Sequence, residues 1–216
     1  MPEVVERLPT PRGELVLRRD GEHFEVIANG VFLMDTRDGR SERLLVAAAL
    51  ERIDAQRPRV LVGGLGVGFS LDEALSDPRV GEVTVVEREP AVVRWNRSYL
   101  DGSTRLDDRR TRLVVAELGG WLADGAPTFD VLCLDIDNGP DWTVTPSNAE
   151  LYSGTGLVLL ASRMAPGGVL AVWSAAPSAP FEARLRVHFE EVTMLTVDVP
   201  RGAPDTVYLA QRSRAR

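Results

Sequence analysis

The chain has 216 residues, 44% of them hydrophobic, with a net charge of -7 and arginine as its only basic type, which suits one ordinary domain with a small extension. The acidic, unclustered charge argues against a nucleic-acid face. No window is apolar for long enough to span a bilayer, and the charged start "MPEVVERLPTPRGE" does not read as a secretory signal, so a cytoplasmic protein is expected. One cysteine and two distant histidines, His23 and His188, offer no intramolecular disulfide, no metal-ligand spacing and no Ser-His-Asp arrangement.

Residues 14–36 read "ELVLRRDGEHFEVIANGVFLMDT", with β-rich runs at 15–17, 24–27 and 31–34. Asp20-Gly21 and Asn29-Gly30 supply the positive φ of two-residue hairpin turns, so a three-stranded antiparallel element is predicted over residues 1–40. "SERLLVAAALERI" follows as a helix with Ser41 as a candidate N-cap. From there, over residues 41–216, apolar runs alternate with helical patterns: "RVLVGG", "EVTVVERE", "RLVVAE", "FDVLCLDID" and "GGVLAVWSA" are the runs. Strands apolar on both faces, separated by helices, predict a parallel sheet covered on both sides. "EVTMLTVDV" and "DTVYLAQR" are joined by a loop too short for a crossover, so they form an antiparallel hairpin. The tail "QRSRAR" reads as a frayed end, and Cys133 reads as a small core residue.

"VLVGGLGVGFSLDEAL" is strand, glycine turn and helix. Gly64, Gly66 and Gly68 allow a ligand to approach the backbone closely, at a G-x-G-x-G spacing that is not the dinucleotide fingerprint. Glu87 ends the second strand about twenty residues on, where a ribose-binding carboxylate is expected. Glu117 ends the third strand and Asp135 the fourth. Ligands of open α/β sheets bind outside the carboxyl ends of the strands, so three carboxylates face one cleft, which favours a nucleoside site.

From about residue 34 onward the chain resembles the spermidine synthase (polyamine aminopropyltransferase) family. "VLVGGLGVGFSLDEAL" is similar to its glycine motif, "VVEREPAVV" to its ribose strand and "RLVVAELGGWL" to its adenine-side strand. "FDVLCLDID" and "LYSGTGLVLLASRMAPGGVLAV" resemble the segments carrying and following its catalytic aspartate. The resemblance implies a Rossmann-like class I AdoMet-methyltransferase fold, a parallel sheet closed by a C-terminal hairpin, with a small N-terminal β element. It also implies that Glu87 holds the ribose hydroxyls, Glu117 faces the adenine amine and Asp135 sits beside the acceptor nitrogen. A homodimer is the expected assembly.

The pattern departs from the family at the polyamine end. Val67 stands where an aspartate holds the free amine of decarboxylated AdoMet, Ser41-Glu42-Arg43 replaces a tyrosine-histidine-glutamate, and Asn138 replaces a second aspartate. The expected function is therefore an AdoMet-dependent group transferase that moves a methyl group to a small acceptor, which could be an amine. Aminopropyl transfer from decarboxylated AdoMet is the alternative, and a non-catalytic nucleoside-binding or dimer-forming protein is the second. Asp135 is the expected catalytic residue, able to stabilise a sulfonium and accept a proton. Asp137 reads as the cap of a helix beginning after Pro140, with assistance to Asp135 as the alternative. Asn138, Trp142 and Tyr152 are candidates for an acceptor pocket, with plain aromatic packing the alternative for the last two. Trp95 reads as packing, and no metal is expected.

Overall fold

The computed structural model describes residues 2–143 and 146–214. Four antiparallel strands open the chain in the order β1 (Glu3–Thr10), β2 (Gly13–Asp20), β3 (His23–Ala28) and β4 (Val31–Asp35). The sequence predicts three of them. No residue of β1 is fully buried, so it lacks the in-out alternation that marks a half-buried strand. Asn29 and Gly30 fill the β3–β4 turn with φ of 52° and 78°, as predicted. The β2–β3 turn is Gly21 and Glu22, one place later than the expected pair.

The next helix is α1 (Arg40–Leu50), whose N-cap is Gly39 and not Ser41. Ser41 lies inside the first turn, and its hydroxyl has other partners. The chain then alternates through β5 (Arg59–Gly63), α2 (Phe69–Ser76), β6 (Glu82–Glu87), α3 (Pro90–Ser98), α4 (Ser103–Leu106), β7 (Thr111–Val115), α5 (Leu118–Ala123) and β8 (Phe129–Leu134). It continues through α6 (Pro146–Leu151), α7 (Gly154–Ser162), β9 (Met164–Ser174), α8 (Ala179–His188), β10 (Phe189–Val197) and β11 (Asp205–Ser213).

The second sheet runs β10-β11-β9-β8-β5-β6-β7. β5 to β9 pair in parallel, while β11 is antiparallel to both β9 and β10. Five parallel strands closed by a terminal hairpin is the predicted arrangement. The end of that hairpin departs from expectation: Gln211 to Ser213 still belong to β11, and residues 215 and 216 of the expected frayed tail lie outside the described residues.

The strands are apolar on both faces because each face has its own core. Val60, Val62, Val131 and Cys133 join one apolar cluster, whereas Leu61, Leu132 and Leu134 join another, the two-residue period of a strand. Burial of each such side chain contributes about 1.5–3 kcal/mol. Leu15, Leu17, Val26 and Ala28 of the small sheet belong to the first cluster with Leu45 and Trp95. Trp95 is fully buried and donates its indole N–H to Glu6 of β1. Cys133 is buried, and burial pushes its thiol pKa up, so it is an inert core residue. Among the described residues no helix is long and apolar enough to cross a membrane.

Candidate active site

The glycine loop leaves β5 at the carboxyl end of the sheet. Gly64, Gly66 and Gly68 have φ of 90°, 52° and 99°, which other residues adopt only with strain. A Cβ on Gly64 would overlap the Asp135 carbonyl, and one on Gly68 would overlap the Arg105 guanidinium. The loop is held from outside: Asn96 Nδ2 donates to the Gly66 carbonyl at 2.8 Å, and Arg105 Nη1 to the Val67 carbonyl at 2.7 Å. It is held from inside by Glu87, which accepts the Leu65 N–H at 3.0 Å and the Glu89 N–H at 2.7 Å. Glu87 is 7% exposed, and burial raises its pKa against the pull of those two donors.

This loop forms one wall of a cavity of about 310 Å³, together with Val86, Glu87, Ala116, Leu118, Asp135 and Asp137. Leu15, Val26, Ala28, Leu33 and Met34 of the small sheet form the facing wall. Arg12, in the β1–β2 turn, bonds Glu89 Oε1 at 2.7 Å and so ties the small sheet to the segment after β6. The volume is that of a small-molecule site.

Glu117 is placed differently from its expectation. It is exposed and caps α5, its oxygens accepting the Gly119 and Gly120 N–H groups at 3.0 and 2.7 Å. Ala116 and Leu118 form the cavity wall at this strand end.

Beyond Asp135 a smaller chamber of about 40 Å³ is lined by Leu33, Met34, Glu42, residues 65–69, Asp135, Asp137 and Trp173. Ser70, in the first turn of α2, donates to Asp135 Oδ2 at 2.7 Å. Burial raises the Asp135 pKa to about 6 despite that bond. Burial and the Asp135 charge together raise Glu42 to about 7. Ser41 Oγ stands 2.9 Å from Glu42 Oε2 and 2.7 Å from Asp205 Oδ2. Arg43 stacks over Phe69, Arg105 pairs with Asp72 at 2.7 Å, and Arg40, which also acts on Asp205, pairs with Asp38 at 2.7 Å. Among the described residues no group of three His, Cys, Asp or Glu side chains is placed to hold a metal ion.

A third, outer cavity of about 670 Å³ adjoins the chamber at Glu42 and Trp173. Asn138 and Trp142 line it; Asn138 is buried, and Trp142 is 58% exposed at the rim. Asp137 does not cap a helix directly after Pro140, because none begins there among the described residues. It has φ of 51°, lines the first two cavities and accepts from Asn148 Nδ2 at 2.8 Å. Trp142 and Thr143 are not helical, Val144 and Thr145 lie outside the described residues, and α6 begins only at Pro146. Tyr152 is core: it is 2% exposed, packs edge-on against Phe181 and donates its hydroxyl to the Ile136 carbonyl. The fold thus brings Gly64, Gly66, Glu87, Asp135 and Asp137 together, and adds Glu42, Ser70 and Arg12, which sequence reasoning missed.

No protein-family model matches the chain. Polyamine aminopropyltransferase 2 of Ralstonia nicotianae is 29% identical over 181 residues, which cover 81% of this chain and 34% of that protein. The polyamine aminopropyltransferase of Mycobacterium tuberculosis is 31% identical over 170 residues, covering 76% of this chain and 31% of that protein. The chain is a relative of the polyamine aminopropyltransferases. It spans about a third of the length of these two relatives. A spermidine synthase solved with the transition-state analogue AdoDATO superposes with a TM-score of 0.81 at 18% identity, over 97% of this chain and 73% of that one. The spermidine synthase of Thermotoga maritima gives 0.78 at 17% identity, over 97% and 72% of the two chains. Human methyltransferase-like protein 13, in complex with SAH, gives 0.64 at 18% identity over 82% and 84%. The fold is that of spermidine synthases and class I methyltransferases.

Proposed function

We propose that the chain transfers an aminopropyl group from decarboxylated AdoMet to an amine. The observation that carries this reading is the charge of the chamber beyond Asp135. Among the described residues its lining has three acids, Glu42, Asp135 and Asp137, and no cation. The carboxylate of intact AdoMet would meet like charge there, costing about 3 kcal/mol for each acid that is ionised, at about 5 Å and an effective dielectric of about 20. The decarboxylated donor has no such group and carries two positive charges. The curated relatives point the same way, so the alternative is favoured over the methyl transfer that Val67 suggests.

The residues fit such a donor. The left-handed glycine turns let the loop pack tightly against Asp135, Met34 and Arg105 while Gly64 and Gly66 line the nucleoside cavity; Glu87 lines the same cavity, and Asp135 stands where it meets the chamber. When bound, the donor supplies a carbon made electrophilic by its sulfonium. Asp135 then accepts the proton leaving the acceptor nitrogen as the carbon–nitrogen bond forms. Its pKa of about 6 leaves it mostly ionised at neutral pH. Asp205 in the outer cavity suits a cationic acceptor, whereas Asp35 and Asp38 there are already paired with Arg37 and Arg40.

The test is product analysis with each donor and a panel of diamines and polyamines. Acceptor-dependent release of methylthioadenosine from decarboxylated AdoMet supports the reading, and it should fall about 10²–10⁴-fold in Asp135→Asn. Release of S-adenosylhomocysteine from AdoMet, without the first reaction, would overturn it.

A further inference from the structure

Val67, the loop residue where the resemblance places an amine-holding aspartate, is buried and apolar, and it lines the chamber beyond Asp135. Glu42 lines the same chamber from the first turn of α1. Among the described residues it is the only acid that lines both this chamber and the outer cavity, whereas Asp135 lines the chamber and the nucleoside cavity. The two carboxylates therefore stand in series along the cleft, Asp135 first and Glu42 beyond it. A ligand with two positive charges joined by a short carbon chain matches that order.

Two further acids, Asp135 and Asp205, stand close to Glu42. Ser41, which is 4% exposed, places one hydroxyl within hydrogen-bond distance of both Glu42 and Asp205. A hydroxyl has a single hydrogen, so one of the two acids must carry a proton for both contacts to be hydrogen bonds. Burial raises the pKa of both acids, and the Asp135 charge adds to the effect at Glu42. A cation beside Glu42 favours its ionised form, and the Ser41 hydroxyl then donates to one of the two acids.

We propose that Glu42 binds the terminal ammonium of the donor's three-carbon chain, supplying from α1 the carboxylate that the glycine loop lacks. It thereby selects the decarboxylated donor over AdoMet. This inference rests on the aminopropyl reading above.

Calorimetric titration of the full chain separates the two. Decarboxylated AdoMet and methylthioadenosine share the nucleoside, and only the first carries the ammonium. Glu42→Gln should raise the dissociation constant of decarboxylated AdoMet about tenfold or more and leave that of methylthioadenosine within about twofold. Equal affinity of wild type and variant for decarboxylated AdoMet would overturn the role of Glu42 and leave the aminopropyl reading intact. A wild-type protein that does not bind decarboxylated AdoMet would overturn both. Should Glu42→Gln lose both ligands, Glu42→Asp decides. Methylthioadenosine binding with a retained preference for decarboxylated AdoMet supports the assignment; binding without that preference overturns it.

Discussion

Ser70 donates its hydroxyl to Asp135 at 2.7 Å, joining the first turn of α2 to the residue that follows β8. The bond favours the carboxylate over the acid and opposes the burial that raises the Asp135 pKa to about 6. Ser70→Ala should therefore raise that pKa further, toward or above neutrality. A hydrogen bond to a charged group contributes about 1.5–3 kcal/mol, so the acid limb of turnover should move up by about one to two pH units. The measurement is the pH profile of methylthioadenosine release. A rate loss that is the same at every pH would mean that Ser70 is only a packing residue.

Glu87 links the glycine loop to the segment after β6 through the Leu65 and Glu89 N–H groups. Glu87→Ala leaves two buried donors without a partner as well as removing a carboxylate from the nucleoside cavity. Affinity for methylthioadenosine should fall at least about tenfold, and stability should fall by about 2 kcal/mol or more. Calorimetry and denaturant unfolding read the two effects. Loss of stability with unchanged affinity would show that Glu87 braces the loop without touching ligand.

Glu117→Ala should do the reverse. Its carboxylate caps α5 through Gly119 and Gly120, so its loss should cost about 1 kcal/mol of stability. Methylthioadenosine affinity should stay within about twofold. A large loss of affinity would restore Glu117 to the adenine end of the site.

Glu42 gives the empty protein a distinctive pH dependence. Its pKa is about 7 in the fold, against an ordinary 4.5, so the folded state holds the proton more tightly than the unfolded chain. The stability this contributes is fully present below about 4.5 and is lost as pH rises through about 7. Wild type should therefore lose stability relative to Glu42→Gln between pH 5 and pH 8, by on the order of 1–2 kcal/mol after allowing for solvent screening. Parallel stability curves for the two proteins would count against the raised pKa.

The parallel sheet was legible because each inner strand must satisfy two cores at once, leaving runs such as "VLCL" with no polar face. Strand β1 was not legible, since its charged residues face water and its apolar ones are only half buried. The glycine loop, Glu87 and Asp135 follow from position at strand ends, a property of the chain alone. Glu42 does not: an acid in the first turn of a helix reads as a solvated residue favoured by the helix dipole. Only the tertiary placement of α1 against the loop brings it to Val67. Tyr152 takes its packing alternative. Its polar tip suggests a pocket, yet a carbonyl of the neighbouring loop satisfies it inside the core.

Strand β11 runs against its neighbours, so its beginning, not its end, reaches the mouth of the cleft and carries Asp205 there. The connection just before it, residues 198–204, forms part of the outer cavity but pairs with no strand in the sheet. Insertions, deletions and substitutions in this stretch can reshape the rim through which an acceptor enters without altering the register of any ladder. On the proposed aminopropyl reading, acceptor choice is thereby uncoupled from foldability, and the stretch is a natural place to graft new selectivity onto the scaffold.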